Sequence, residues 1–222
     1  MKFYYTGIDE VFNICHDYIN EIIIENQGLF SDICEDIYQQ IEGNDGQSIV
    51  SIDNVPIDIR KNVELITQFV PFELNKKGLL NKVISRAEKM AIEPDYYEIT
   101  MTELANIEKF MWKITENMGG NFVYSKLSIG NVIKSLGIEF EDDEKNLCEK
   151  ILDYMELVRE YDNDKLFVFV NLRSYISDND CIRLYDTILR KQFNTLMIEN
   201  CEHEVCPTEK RIIVDKDNCV IK

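Results

Sequence analysis

KLFVFVNL, Lys165 to Leu172, decides the fold. Its central five residues are all apolar and mostly β-branched or aromatic, the pattern of a strand covered on both faces, and such strands belong to parallel sheets. The residues after it fit a crossover. Ser177 and Asp180 form a capping-box signature, Ile182, Tyr185, Ile188 and Leu189 make a helical stripe, and TLMIE from Thr195 returns as a strand. A second unit of this kind opens the chain. EIIIE, Glu21 to Glu25, is a short β-branched run; Leu29, Ile33, Ile37 and Ile41 come next at helical spacing; GNDGQ breaks the helix; and SIVSID from Ser48 reads as the next strand. Parallel strands joined by helices are the economical interpretation of both units. The chain closes with RIIV-DKDN-CVIK, a hairpin turning at Asp215 to Asn218.

Between the two units the pattern turns helical. VELITQFV, GLLNKVISRAEKMA and ITMTELANIEKFMWKITENM are separated by ELNK and the Pro94 region, MGGN ends the last, and Ser128 to Leu136 forms a short helix. A long amphipathic helix then runs from Glu144 to Arg159, with Leu147, Ile151, Met155 and Val158 as its stripe. The expected fold class is therefore α/β, a parallel-rich sheet built from both ends of the chain with a helical insertion in the middle. The expected boundaries are a first part at 1–57, a helical domain at 58–136 and a second part at 137–222.

The chain has 222 residues, 45% of them hydrophobic, and a formal charge of −17, enough apolar content for a real core and too acidic for a generic nucleic-acid binder. MKFYYTGIDE lacks the apolar stretch of a signal peptide and LFVFV is too short to cross a bilayer, so a cytoplasmic protein without a membrane span is expected. Seven cysteines, an odd number, point to reduced thiols. CEHEVC, Cys201 to Cys206, with Cys219 further on, offers soft zinc ligands but at no common paired spacing.

One stretch departs from the acidity. LNKKGLLNKVISRAEKMA, Leu74 to Ala91, contains five of the 24 Lys and Arg residues but one of the 41 Asp and Glu. On a helical wheel Leu80, Val83, Ile84, Ala87 and Ala91 share one face, and Lys82, Arg86 and Lys89 line up opposite. The row is either chance clustering on a solvated helix or a site for a polyanion; a line of cations tracks a phosphate backbone without reading sequence.

Enzyme chemistry is poorly represented. The loop NQGLFSD, Asn26 to Asp32, stands where a phosphate-binding loop would, but it has a single Gly and no Lys. The buried strand KLFVFVNL ends in Asn171, where a nucleotide hydrolase needs an acid for magnesium. Neither His16 nor His203 neighbours a nucleophile motif, and EFEDDE, Glu139 to Glu144, suits the start of a helix better than a metal.

These segments, taken in order, resemble a known family. VIKSLGIEF, EKILDYMELVREYDNDKLFVFVNLRSYIS, the helix through DTIL and the strand TLMIE are similar to the small type II-A CRISPR-associated spacer-acquisition protein, as are FELNKKGLLNKVIS and the early IIIEN, FSDICEDIY and SIVSID. The resemblance implies an α/β head like a degenerate P-loop or RecA-like fold, with no nucleotide bound or hydrolysed, and a helical leg. It implies a homotetrameric ring whose lysine-lined channel holds double-stranded DNA entering at free ends, working beside the CRISPR integrase proteins and the effector nuclease.

Carried onto this chain, the DNA-binding residues are Lys76, Lys77, Lys82, Arg86 and Lys89. The family's calcium carboxylates come after the long leg helix. Here that place reads ENMGGNFVYSKLS, with Glu116 its only acid and Asn121 a neutral oxygen donor, which leaves calcium short of negative charge unless Glu139 and Glu141 serve instead. Lys126 in this segment is expected to replace part of the metal's charge and to join the DNA-binding set. The competing expectations are an acidic scaffold for protein partners and a nucleotide-dependent enzyme with an atypical loop.

Overall fold

The computed structural model describes residues 1–142 and 145–221. Its chain divides into two compact units, Met1–Leu74 with Asp142–Lys222, and Asn75–Glu141. The first is the sheet unit and the second the helical unit. Both boundaries differ from those expected at 57/58 and 136/137.

The sheet unit is built on a six-stranded sheet. Its strands are β3 (Ile19–Ile24), β6 (Val63–Ile66), β7 (Leu166–Val170), β8 (Asn194–Glu199), β9 (Glu209–Val214) and β10 (Val220–Ile221). The order is β10-β9-β3-β8-β7-β6, parallel throughout except for the terminal β9–β10 hairpin. Every residue of β3, β7 and β8 is buried, as the unbroken apolar run of Leu166–Val170 demands of a strand covered on both faces.

Three long helices belong to this unit. Helix α1 (Gln27–Ile41) starts at Asn26, whose side chain accepts from the Leu29 amide, and it buries Ile33 and Ile37. Helix α6 (Leu147–Tyr161) opens with a reciprocal capping box between Asn146 and Glu149. The cap is therefore Asn146 rather than the acidic run before it; of that run Asp142 pairs with Lys150 at 2.7 Å, and Glu144, expected as the helix start, lies outside the described residues. Helix α7 (Asp178–Arg190) begins at Ser177, which accepts from the Asp180 amide; of its expected stripe Tyr185 and Ile188 are buried, together with Cys181 and Leu184, whereas Ile182 and Leu189 are half-buried.

Two expectations about strands are corrected. The run from Ser48 does not continue the parallel sheet. It is β4 (Ser48–Ile52), which pairs antiparallel with β1 (Lys2–Tyr5) in a separate sheet of order β2-β1-β4-β5, with β2 at Val11–Asn13 and β5 at Val55–Ile57. Its burial is that of a sheet with one solvated face: Ser48 and Val50 are buried while Ile49 between them is exposed. VELITQFV is not helical either; Val63–Ile66 is β6, parallel to β7, preceded by the single turn α2 (Ile59–Asn62). A short apolar run does not distinguish strand from helix by period, and pairing with β7 decides it.

One apolar cluster joins Ile22 and Ile24 of β3, Val168 of β7 and Leu196 of β8 to Ile33 and Ile37 of α1 and to Phe3, Phe12 and Val50 of the small sheet. The alternate residues of β3 point to the other face, and there Glu21 sits in a buried ion network. Arg173, in a 3-10 turn after β7, reaches Glu21 and Glu209 at 3.3 Å each and Asp178 at 3.1 Å; its amide donates to Glu199 and its guanidinium to the Glu204 carbonyl. Arg211 meets Glu21 at 2.9 Å. Three buried or half-buried glutamates thus face two arginines. Burial first, and then the charge of Glu21, raise the Glu199 carboxyl to about 8, against the pull of the Arg173 amide. Burial, and after it Glu21, also pushes Glu209 upward.

The helical unit contains α3 (Lys77–Ala91), α4 (Pro94–Thr115) and α5 (Ile129–Leu136). Helix α3 packs on α5, where Gly130 lies so close to Glu88 that a Cβ would displace the carboxylate. Gly137 ends α5 in the left-handed conformation at φ 66°. The Asn75 side chain clasps the far end of the unit, donating to the Phe140 carbonyl at 2.9 Å and accepting from its amide at 2.7 Å.

The buried network sets two expectations about stability. Arg173→Leu removes the cation from a network whose glutamates stay buried, and should lower unfolding stability by about 3–5 kcal/mol in chemical denaturation. Glu199 binds its proton more tightly folded than unfolded, so its contribution to stability is complete below the ordinary glutamate value of 4.5 and is lost as pH rises to about 8. Glu199→Gln should flatten the fall in melting temperature across that window.

Candidate nucleic-acid interface

Helix α3 separates its two faces as its sequence requires. Ile84 and Ala91 are buried and Leu80, Val83 and Ala87 half-buried, while Lys82, Arg86 and Lys89 are exposed on the other side. Leu79, off the expected stripe, is buried as well. Lys77 is the first helical residue and exposed; Lys76 is the N-cap, half-buried, and its side chain makes no capping bond. Lys82, Arg86 and Lys89 therefore form one row, with Lys76 and Lys77 at the helix start.

Lys126 and Glu116 belong to a different part of the unit, the segment joining α4 to α5. Lys126 is exposed beside Leu127 in the lining of a cavity with Trp112 and Tyr124, and Glu116 is the exposed C-cap of α4. Glu139 and Glu141 are exposed after α5. Among the described residues no three His, Cys, Asp or Glu side chains converge as a metal would require. The donors on this segment do not fit calcium: one exposed carboxylate supplies little of the charge or coordination number that ion takes.

The cysteine-rich segment divides as well. Cys201 Sγ lies 3.6 Å from His203 Nε2, whereas Cys206 is buried with its Sγ 3.4 Å from that of Cys181 on α7. All seven cysteines are free thiols. Burial raises Cys181 beyond the ordinary thiol range, against the nearby Arg173 charge, so these two sulfurs pack as neutral groups rather than as thiolate ligands.

The positions where nucleotide chemistry would sit are occupied by the fold's own bonds. The Asn26 side chain caps α1 and donates to the Lys216 carbonyl. Asn171, left-handed at φ 56°, accepts from the Asn200 amide and so ties the ends of β7 and β8 together.

Charge is partitioned between the units. The helical unit holds nine of the 24 Lys and Arg and nine of the 41 Asp and Glu, so the formal charge of −17 falls on the sheet unit. Sequence reasoning missed part of this surface. Lys109 and Lys113, one turn apart on α4, flank the exposed Trp112; the signal is present in EKFMWK, where helical periodicity masks it.

Residues 40–218 match the family model for CRISPR-associated protein (Cas_Csn2). The chain belongs to the Csn2 family. A CRISPR-associated protein Csn2 from Streptococcus agalactiae is 23% identical over 159 residues, 71% of this chain and 70% of that protein. The crystal structure of Stu0660 of Streptococcus thermophilus is similar in fold, with a TM-score of 0.55 at 15% identity over 91% of this chain and 69% of that one. The α/β fold with its parallel-rich sheet and C-terminal hairpin is that of this neighbour, and membership gives the chain a CRISPR-associated function. Among the described residues no helix is long and apolar enough to cross a membrane.

The poor fit of Glu116 to calcium is open to measurement. Any rise in melting temperature on adding calcium should be the same for the wild-type protein and for Glu116→Gln.

Proposed function

We propose that this Csn2-family chain is a non-catalytic subunit of a homotetrameric ring that binds double-stranded DNA at free ends, without regard to sequence, during CRISPR spacer acquisition. The observation that carries this is the exposed row of Lys82, Arg86 and Lys89 on a helix whose opposite face is packed. Lys76 and Lys77 extend the row, and Lys126 adds a cation from the α4–α5 segment. Such contacts track phosphates and position a duplex without reading bases. The acidic sheet unit repels DNA, which favours engagement through the helical unit.

Association of subunits is favoured by α4. None of its 22 residues is buried within the chain, and Ile99, Phe110 and Ile114 lie exposed on one side of it. An apolar strip of this kind is the mark of an interaction surface. Four copies of a three-cation row around one duplex would bind far more tightly than one row on an acidic monomer. No hydrolysis is proposed, because Asn26 and Asn171 are committed to backbone bonds, and no step depends on calcium. The substrate puts the protein in the cytoplasm, with the CRISPR integrase proteins and effector nuclease as partners.

The test uses one DNA sequence in linear and covalently closed circular form. Binding should be confined to the linear form and should weaken steeply with salt. Replacing Lys82, Arg86 and Lys89 together by Ala should weaken binding by about tenfold or more and reduce the salt dependence. Equal binding to both forms would remove the ring, and unchanged binding by the triple variant would remove this surface.

A further inference from the structure

The segment after α4 folds back on the end of that helix and leaves two cavities around Trp112. One, of about 610 Å³, is lined by Ile107, Met111, Tyr124 and Lys126 among others; the second, of about 830 Å³, by Lys109, Lys113, Phe122 and the turn at Gly120 and Asn121. Both volumes lie in the range of small-molecule sites. Trp112 is 60% exposed. It is nevertheless held in place: the Tyr124 ring packs against it with centroids 5.0 Å apart, and the Tyr124 hydroxyl is hydrogen-bonded to Thr115 Oγ1 on the next turn of α4. The arrangement is an aromatic ring fixed from one side, open on the other, with lysines three residues before and one after it.

An acidic protein has no general reason to gather cations here, yet Leu104 to Ile138 contains four lysines against the acids Glu108 and Glu116. An apolar peptide would be served by the aromatic residues alone, and a phosphate by the lysines alone. Their combination matches a nucleotide, whose base offers a π-face and whose phosphates are anionic, the pairing used by proteins that hold single strands. Trp112 also faces away from the strip assigned to subunit association. Phe110 and Trp112 are two residues apart and diverge by about 160° around the helix, so a partner covering Phe110 leaves the tryptophan accessible.

We propose that Trp112, with Lys109 and Lys113, forms a subsite that stacks an unpaired base from a frayed or single-stranded DNA end. This rests on the proposed binding of DNA ends and adds to it a preference among ends. The duplex would lie on the cations of α3, and the overhang would reach the tryptophan.

Trp112 is the single tryptophan of the chain, so its fluorescence reports the site directly. The full chain is titrated with one duplex in blunt form and in a form carrying a short single-stranded overhang, by anisotropy of labelled DNA and by tryptophan emission. The overhang form should bind more tightly, by about five- to a hundredfold for a stacked base, and should alone quench the emission. Trp112→Ala should abolish that advantage and leave blunt binding intact; Trp112→Phe, which keeps a stacking face, should restore part of it. Equal binding of the two forms by wild-type protein, or no quenching, would overturn the subsite while leaving the ring untouched. Binding of neither form would overturn the DNA reading and the subsite with it. A change of oligomeric state in Trp112→Ala, measured by light scattering, would show that a second copy of the chain covers the pocket and would also overturn it.

Discussion

The pairing of Arg173 with Glu21 is the constraint on which the sheet unit depends. It joins residues 152 positions apart in sequence, and the Arg211–Glu21 contact spans 190. Apolar burial is non-directional and would tolerate β3 in more than one register, because Ile22, Ile23 and Ile24 are nearly interchangeable. Glu21 is not interchangeable with them. A slip of one residue would turn its carboxylate from the arginines into the cluster containing Ile33 and Ile37. The ion network thus specifies how the first and last parts of the chain meet, at the expense of an unmatched glutamate, and burial beside Glu21 raises the Glu199 carboxyl accordingly.

Because the sheet unit closes on itself from both ends of the chain, the intervening residues are free to form a unit of their own. Asn75 and Phe140 stand at its two boundaries, and their paired hydrogen bonds let the insertion begin and end at one place. That separation has an electrostatic use. The buried network of the sheet unit fixes Glu21, Glu199 and Glu209 in place. Helices α3 and α4 carry no such obligation, so cations placed on them act against a neutral background.

Much of this is legible in the sequence, and the parts that are not fail for physical reasons. Leu166–Val170, the terminal hairpin and the two faces of α3 declare themselves because period and burial agree, and the α7 stripe does so in part, through Tyr185 and Ile188. SIVSI falls in a different sheet from the one expected because its apolar residues show no alternation that would mark a half-exposed strand, and pairing with β1 decides it. VELI resists assignment because four residues carry no period. The buried network is invisible because Glu21, Arg173 and Arg211 look like surface residues until distant segments bring them together. At the candidate site, the row on α3 is readable from one helix, whereas the Trp112 cavities depend on how residues 116–127 fold back, which no local pattern encodes.

This asymmetry reflects what the protein is proposed to do. A hydrolase must place several groups within a fraction of an ångström of a reacting atom, and such requirements leave motifs. Binding of a phosphate backbone asks only for cations on an accessible face, held at spacings that several helical positions satisfy equally well. Lys82, Arg86 and Lys89 meet that demand while the rest of α3 is free to answer to packing. The two asparagines point the same way. Asn26 and Asn171 stand at strand ends where a nucleotide enzyme keeps its phosphate cradle and its metal ligand, and here each completes backbone hydrogen bonds that a catalytic role would have to leave open. In the fold as it stands, these two side chains hold a helix start and two strand ends in place.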